Sequence, residues 1–360
     1  MKKPLIIIFT VILVIHLLVL GLFLIWQKQD GAETEAPGNA ASPAAVPEPE
    51  IDTSALDRKR GELKKTSSSP RKTQSKSVSS RFYIYKPIPP FDYSTSVTGN
   101  IRQVPETKGA SAGILVDMNS GRVLWNKNPL KPVPIASMTK LMTALLAFED
   151  IRDGKISFST PVHVSKKAAA VKGSSVWLDP RETLPFGDLL KAMLIKSAND
   201  AAYLVGEKLA GGNMDSFVAR MNRRASELGL KHTKFYNPNG MPGASAKEDN
   251  VASCEDLAKL AAMLLRFPDA VKITSTKTDK IPRKVGKNKY TILTSTNHLV
   301  RKGVKGVDGI KTGYTIRAGS CLTVTCIRDG RRLIGAVTGF KSRVDRDKCA
   351  EKLLDWGYAR

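Results

Sequence analysis

Cysteine and histidine are scarce in this 360-residue sequence, with four of each. No two cysteines form a C-x-x-C pair, and Cys321 and Cys326 lie five apart, so one strand would point them to opposite sides. A zinc ribbon, thioredoxin-like chemistry and a disulfide-stapled miniprotein are thereby excluded, and buried free thiols are the expected state. His16, His163, His232 and His298 are scattered and no H-E-x-x-H occurs, so the chain reads as having no metal site and no cofactor. Acids are also few: 33 Asp and Glu stand against 57 Lys and Arg, a formal charge of +24. Such an excess invites a nucleic-acid reading, but its distribution argues otherwise. Residues 30–57 hold seven acids and no base, residues 58–86 hold ten bases and one acid, and the remaining excess is spread over the rest of the chain. No RNA-binding motif or basic helix concentrates it. A basic surface suited to anionic surroundings is the reading, with no nucleic-acid partner.

Long apolar runs are absent but for one. Met1-Lys2-Lys3 precedes a run from Leu5 to Ile25, broken by Thr10, His16 and Gly21 and closed by Trp26. About twenty apolar residues span a ~30 Å hydrocarbon core. Lysines on the short side place the N-terminus in the cytoplasm and the remainder outside. A cleaved signal peptide would have a shorter apolar core with a small-residue site close behind it. Here the nearest such cluster, Asn39-Ala40-Ala41, lies well beyond Trp26. Residues 1–27 are therefore expected to form an uncleaved single-pass anchor. Residues 28–107, rich in Pro, Ser and charge, are expected to form a disordered linker. Within it Arg81 to Tyr93 stands out, because Phe82, Tyr83, Ile84, Tyr85 and Phe91 could pack on the domain that follows.

From residue 108 to 360 the pattern is that of a folded domain. Ala110–Asp117 and Arg122–Asn126 read as strands joined by a Met118-Asn119-Ser120-Gly121 turn. A helix starts at Ser137, with Leu141, Met142, Leu145, Leu146 and Phe148 at helical spacing. Further helices are expected over Phe186–Lys196, Ala201–Leu209, Met214–Leu228 and Leu257–Phe267, the last capped by Ser253. Cys321–Ile327 and Arg332–Phe340 form a hairpin around Asp329-Gly330, and Val344–Trp356 closes the chain as a helix. Strands at both ends with helices between imply an α+β fold whose antiparallel sheet joins N- and C-terminal strands.

Three short signals occur in order: Ser137-Met138-Thr139-Lys140, Ser197-Ala198-Asn199, and Lys311-Thr312-Gly313 just ahead of a strand. Each alone is weak. Ser69-Pro70-Arg71-Lys72 is another S-x-x-K, denied a helix by Pro70, and Ser295-Thr296-Asn297 is another S-x-N, only sixteen residues before Lys311. Singly, Ser137 is a helix cap, Lys140 and Lys311 are solvated charges, and Ser197 and Asn199 are loop residues. Together they support a chemistry. Positions i and i+3 share a helix face, so Lys140 reaches the Ser137 hydroxyl. A serine needs a base to become a nucleophile, and no histidine is suitably placed. A lysine serves if burial and a neighbouring cation, for which Lys311 is the candidate, lower its pKa.

This ordered triplet resembles the penicillin-binding and serine β-lactamase superfamily. Flanking phrases narrow the resemblance: Ile114-Leu115-Val116-Asp117, Ala136 to Thr143, Asn199-Asp200-Ala201-Ala202, Phe235-Tyr236-Asn237-Pro238-Asn239-Gly240 and Val307 to Thr315. They are similar to low-molecular-mass D-alanyl-D-alanine carboxypeptidases over residues 108–360. The resemblance implies a β-lactamase/transpeptidase-like fold with an all-helical subdomain, on the outer side of a bacterial cytoplasmic membrane. It implies peptidoglycan stem peptides as substrate and β-lactam antibiotics as covalent inhibitors. By that resemblance Ser137 is the nucleophile, Lys140 its base and Ser197 the proton relay to the leaving amine. Asn199 holds the peptide and orients Lys140. Lys311 and Thr312 bind the terminal carboxylate, Gly313 lets the strand approach the substrate, and the backbone N–H groups of Ser137 and Tyr314 form the oxyanion hole. The first alternative is a D,D-endopeptidase using the same residues. A class A β-lactamase would need a glutamate in an E-x-x-L-N context, which Glu182-Thr183-Leu184-Pro185 does not supply. A non-catalytic wall-binding module would not need the nucleophile that is present.

Overall fold

Burial on both faces of the central strands decides the architecture. The computed structural model describes Ile88 and residues 90–360 other than Lys287. The expected anchor, the linker up to residue 87 and the Ser69-Pro70-Arg71-Lys72 motif lie outside the described residues. Among those described, no helix is long and apolar enough to cross a membrane. In chain order the elements are β1 (Val97–Thr98), β2 (Ala112–Asp117), β3 (Val123–Lys127), β4 (Val133–Pro134), α1 (Lys140–Arg152), β5 (Pro161–His163), α2 (Lys166–Ala169), β6 (Thr183–Pro185), α3 (Phe186–Leu194), α4 (Asn199–Leu209) and α5 (Met214–Glu227). There follow β7 (Val251–Ala252), α6 (Cys254–Leu264), α7 (Pro268–Thr274), β8 (Thr278–Pro282), β9 (Tyr290–Thr294), α8 (His298–Lys302), β10 (Val307–Thr315), β11 (Gly319–Arg328), β12 (Arg331–Phe340) and α9 (Arg343–Tyr358).

The main sheet has the order β1-β3-β2-β12-β11-β10. N- and C-terminal strands meet at β2 and β12, where Ile114 pairs with Ala336 and Val116 with Ile334 in antiparallel register. All pairings in it are antiparallel except β1 with β3. Alternation along the strands feeds two cores. Ile114, Val116, Ile334, Ala336 and Cys321 face one, which contains α1, α3, α4 and α6. Leu115, Leu333, Val337, Leu322 and Cys326 face the other, covered by Cys349, Ala350, Leu353 and Leu354 of α9. Cys321 and Cys326 do point to opposite faces, and all four cysteines are buried and free. Burial pushes the Cys254 and Cys349 thiols up to about 12, which suits apolar packing rather than reactivity.

The expected helices and hairpins are present, with ends shifted by a few residues. Ser253 accepts from the Asp256 amide at 3.1 Å as the N-cap of α6. Two readings need correction. Residues 91–107 are part of the folded unit rather than linker: Phe91, Ile101 and Val104 are buried, β1 pairs with β3, and the Trp125 indole N–H donates to the Gly99 carbonyl at 2.7 Å. The segment lacks a periodic pattern because its order comes from pairing with a distant strand. The Lys311-Thr312-Gly313 motif lies in the middle of β10, not ahead of a strand. Its glycines and charges disguise a buried strand.

Helix α1 lies among the helices on one face of the sheet. Every residue from Lys140 to Asp150 is buried, as befits a helix packed on all sides. Its first residue is thereby carried into the interior, and that placement makes the site.

Candidate active site

Ser137 lies in a 3-10 turn, Ala136–Thr139, between β4 and α1. Ala136 has φ +46°, a conformation uncommon for a residue with a side chain. The turn is held from several sides: Thr139 Oγ1 donates to the Ala136 carbonyl at 2.8 Å, and Asn250 Nδ2 donates to Thr139 Oγ1 at 2.9 Å. Strand β10 presses on it. A Cβ at Gly313 would lie 2.7 Å from the Ile135 carbonyl, so the missing side chain there allows contact with the nucleophile's turn.

Lys140 Nζ is fully buried and has three oxygen neighbours: Ser137 Oγ at 2.8 Å, Asn199 Oδ1 at 2.8 Å and the Asn239 carbonyl at 2.5 Å. Burial, and then the positive charge of Lys311, hold its pKa well below 10.5, with Asp200 opposing them. A neutral amine has two N–H groups and one lone pair. The Asn239 carbonyl can only accept, and Asn199 is oriented by its Nδ2 donating to the Lys172 carbonyl at 3.0 Å, so its Oδ1 also accepts. Two acceptors consume the two N–H groups, and the lone pair is left for the Ser137 hydroxyl. The arrangement is that of a base already hydrogen-bonded to a nucleophile.

Ser197 sits between α3 and α4 at φ +63°, and its Oγ receives a hydrogen bond from Lys311 Nζ at 2.8 Å. Lys311 also donates to the Thr312 carbonyl at 3.0 Å. Burial, followed by the nearby Arg346 guanidinium, brings its pKa down to about 7. Ser137, Ser197, Thr312, Gly313 and Tyr314 line one cleft of about 380 Å³. Structure thus brings together all the residues singled out in sequence: Lys140 and Lys311 lie behind the lining, hydrogen-bonded to Ser137 and Ser197, and Asn199 is bonded to Lys140.

Sequence reasoning missed others. The Phe235–Gly240 phrase is a turn in which Asn237 Oδ1 accepts from the Gly240 amide at 2.7 Å, so that Asn239 offers its carbonyl to Lys140. Thr296, set aside as part of a decoy motif, lines the cleft and accepts from Thr312 Oγ1 at 2.8 Å. Arg301, Arg343 and Arg346 make the cleft cationic. The arginines come from elements with no motif of their own; the sequence signal for Arg346 was nothing more than its charge.

The family model described as D-alanyl-D-alanine carboxypeptidase, peptidase S11, matches residues 99–342. The chain belongs to this family. It is 37% identical to the D-alanyl-D-alanine carboxypeptidase DacF of Bacillus subtilis over 251 residues, covering 70% of this chain and 62% of that one. It is 31% identical to a D-alanyl-D-alanine endopeptidase of Pseudomonas aeruginosa, over 60% of this chain and 66% of the relative. Among solved structures, penicillin-binding protein D2 of Listeria monocytogenes in its ampicillin-bound form superposes with a TM-score of 0.61 at 32% identity, covering 69% of this chain and 97% of the other. The chain therefore spans somewhat less than two thirds of the DacF sequence. The S11 membership agrees with the α+β sheet-and-helix architecture and with the resemblance drawn from the motifs.

Proposed function

We propose that this chain is a serine D,D-carboxypeptidase that removes the terminal D-alanine from peptidoglycan stem pentapeptides and is acylated by β-lactams. The single observation that carries the reading is the buried Lys140 amine, 2.8 Å from Ser137 Oγ, with its other two partners both acceptors. In the proposed reaction, Ser137 Oγ attacks the carbonyl carbon of the penultimate D-alanine while its proton moves to the Lys140 lone pair. The tetrahedral oxyanion is received by the backbone N–H groups of Ser137 and Tyr314, donors worth about 3 kcal/mol each in such sites. Collapse breaks the C–N bond. The proton passes from Lys140 through the Ser197 hydroxyl to the departing amine, leaving an ester on Ser137. Water, deprotonated by the same lysine, then releases the shortened peptide. Lys311, Thr312 and the cleft arginines would hold the terminal carboxylate. Asn199 acts by orienting Lys140.

A second reading is D,D-endopeptidase action on cross-links with the same residues, favoured by the P. aeruginosa relative of that name. Monomeric pentapeptide and cross-linked dimer supplied side by side distinguish the two. The carboxypeptidase releases D-alanine from the pentapeptide; loss of dimer with no D-alanine released would overturn it in favour of the endopeptidase. We further propose that residues 1–27 anchor the chain in the bacterial cytoplasmic membrane with the N-terminus inside and the catalytic domain outside, a reading supported by the Leu5–Ile25 run and its flanking lysines.

A further inference from the structure

Trp177 is presented to solvent in a way that costs the fold. The residue is 75% exposed, while its neighbours Val176 and Leu178 are buried, and its φ is +52°, a genuine outlier for a bulky residue. The backbone around it is clamped by side chains on three successive amides and two carbonyls. Asp200 Oδ2 accepts from the Val176 and Leu178 amides at 3.2 and 3.1 Å. Ser175 Oγ accepts from the Trp177 amide at 2.8 Å. Arg283 donates to the Val176 and Trp177 carbonyls, each at 2.8 Å, and is itself paired with buried Glu182 at 2.7 Å. Strain held this firmly beside a reactive site points to a function. The loop is continuous with that site: Ser174 lines the cleft, and its carbonyl accepts from the Asn199 amide at 2.6 Å.

We propose that Trp177 is a specificity residue that stacks on a pyranose ring of the glycan strand to which the stem peptide is attached. The proposal rests on the peptidoglycan reading above. The negative face of an indole attracts the polarised C–H groups on the flat side of a sugar. A ring this exposed suits a sugar, whose other groups stay in water; an apolar peptide side chain would need an enclosing pocket. Reach agrees. Trp177 is three residues from the cleft wall, at most about 11 Å, and the four stem residues between sugar and cleaved bond extend to about 14 Å. A rigid ring loses little freedom on binding, which is the use of the clamp.

The test titrates full-length chain carrying Ser137→Ala with disaccharide-pentapeptide and with bare pentapeptide by calorimetry, alone and combined with Trp177→Ala or Trp177→Phe. The disaccharide form should bind about tenfold more tightly than the bare peptide. Trp177→Ala should erase that difference and leave bare-peptide binding unchanged, and Trp177→Phe should restore part of it. Equal weakening of both ligands by Trp177→Ala, no weakening of either, or no measurable binding of the disaccharide form overturns the proposal. D-alanine release by unsubstituted chain is followed in parallel. Release without a Trp177-dependent glycan preference ends the proposal and keeps the peptidase reading. A Trp177-dependent preference without release keeps the proposal and ends that reading.

Discussion

The protonation of two lysines should govern the pH profile. Lys140 works as a base only when neutral, so acylation rises with pH as the proton leaves Nζ, at a pH well below the ordinary 10.5. Part of that lowering comes from the charge on Lys311. Removing the charge lets Lys140 hold its proton more tightly. Lys311→Gln should therefore move the ascending limb of penicillin acylation to higher pH by roughly one unit, read from the second-order rate against pH. An unmoved limb would mean that burial alone tunes the base. Lys311 itself loses its charge as pH rises through about 7, so KM for a substrate ending in a carboxylate should climb above that pH. Ser137, Lys140, Ser197, Asn199 and Lys311 were legible because their order and spacing carry a chemistry. The Asn239 carbonyl and Trp177 were not: a backbone acceptor leaves no mark of side-chain type, and exposure of one tryptophan depends on how its loop is held.

At the scale of elements, the site is four pieces pressed together: the Ser137 turn, the Ser197–Asn199 junction of α3 and α4, the Phe235–Gly240 turn and strand β10. Gly240 has φ +82°, and a Cβ there would overlap the Ala136 carbonyl. Both objections are to backbone, which cannot swing aside. Gly240→Ala should cost about 2–4 kcal/mol in denaturant unfolding and, by displacing Ser137 and the Asn239 carbonyl, roughly a hundredfold in acylation rate. A variant with wild-type stability and rate would show that the turns are not in the contact described. Helices were readable from their 3.6-residue period and the β11–β12 hairpin from Asp329-Gly330, both at positive φ. The two-residue strands β1, β4 and β7 and the segment from 91 to 107 were not, because too few residues repeat to show a period and their order is supplied by distant partners. β10 was misjudged at its start for a related reason: Asp308 and Lys311, charged residues in a strand, find their partners in Arg332 at 2.8 Å and Ser197 at 2.8 Å, contacts that no local window contains.

For the whole molecule, the sheet with helices on both faces explains how the pKa of a lysine beside an open cleft is lowered: α1 is sunk in the larger core and offers Nζ at its first turn. The proposed anchor has its own check. If Leu5–Ile25 is inserted, full-length chain stays with membranes through a high-salt wash, since apolar insertion is not screened as charge is; release by salt would leave only electrostatic attachment. The central claim, that Ser137 is a nucleophile activated by Lys140, is tested most directly by mass spectrometry of the full chain after exposure to penicillin. One covalent adduct, on the peptide that carries Ser137 and lost in Ser137→Ala, is the expected result. An intact chain without an adduct, or an adduct on Ser69 or Ser197 in its place, would contradict the account.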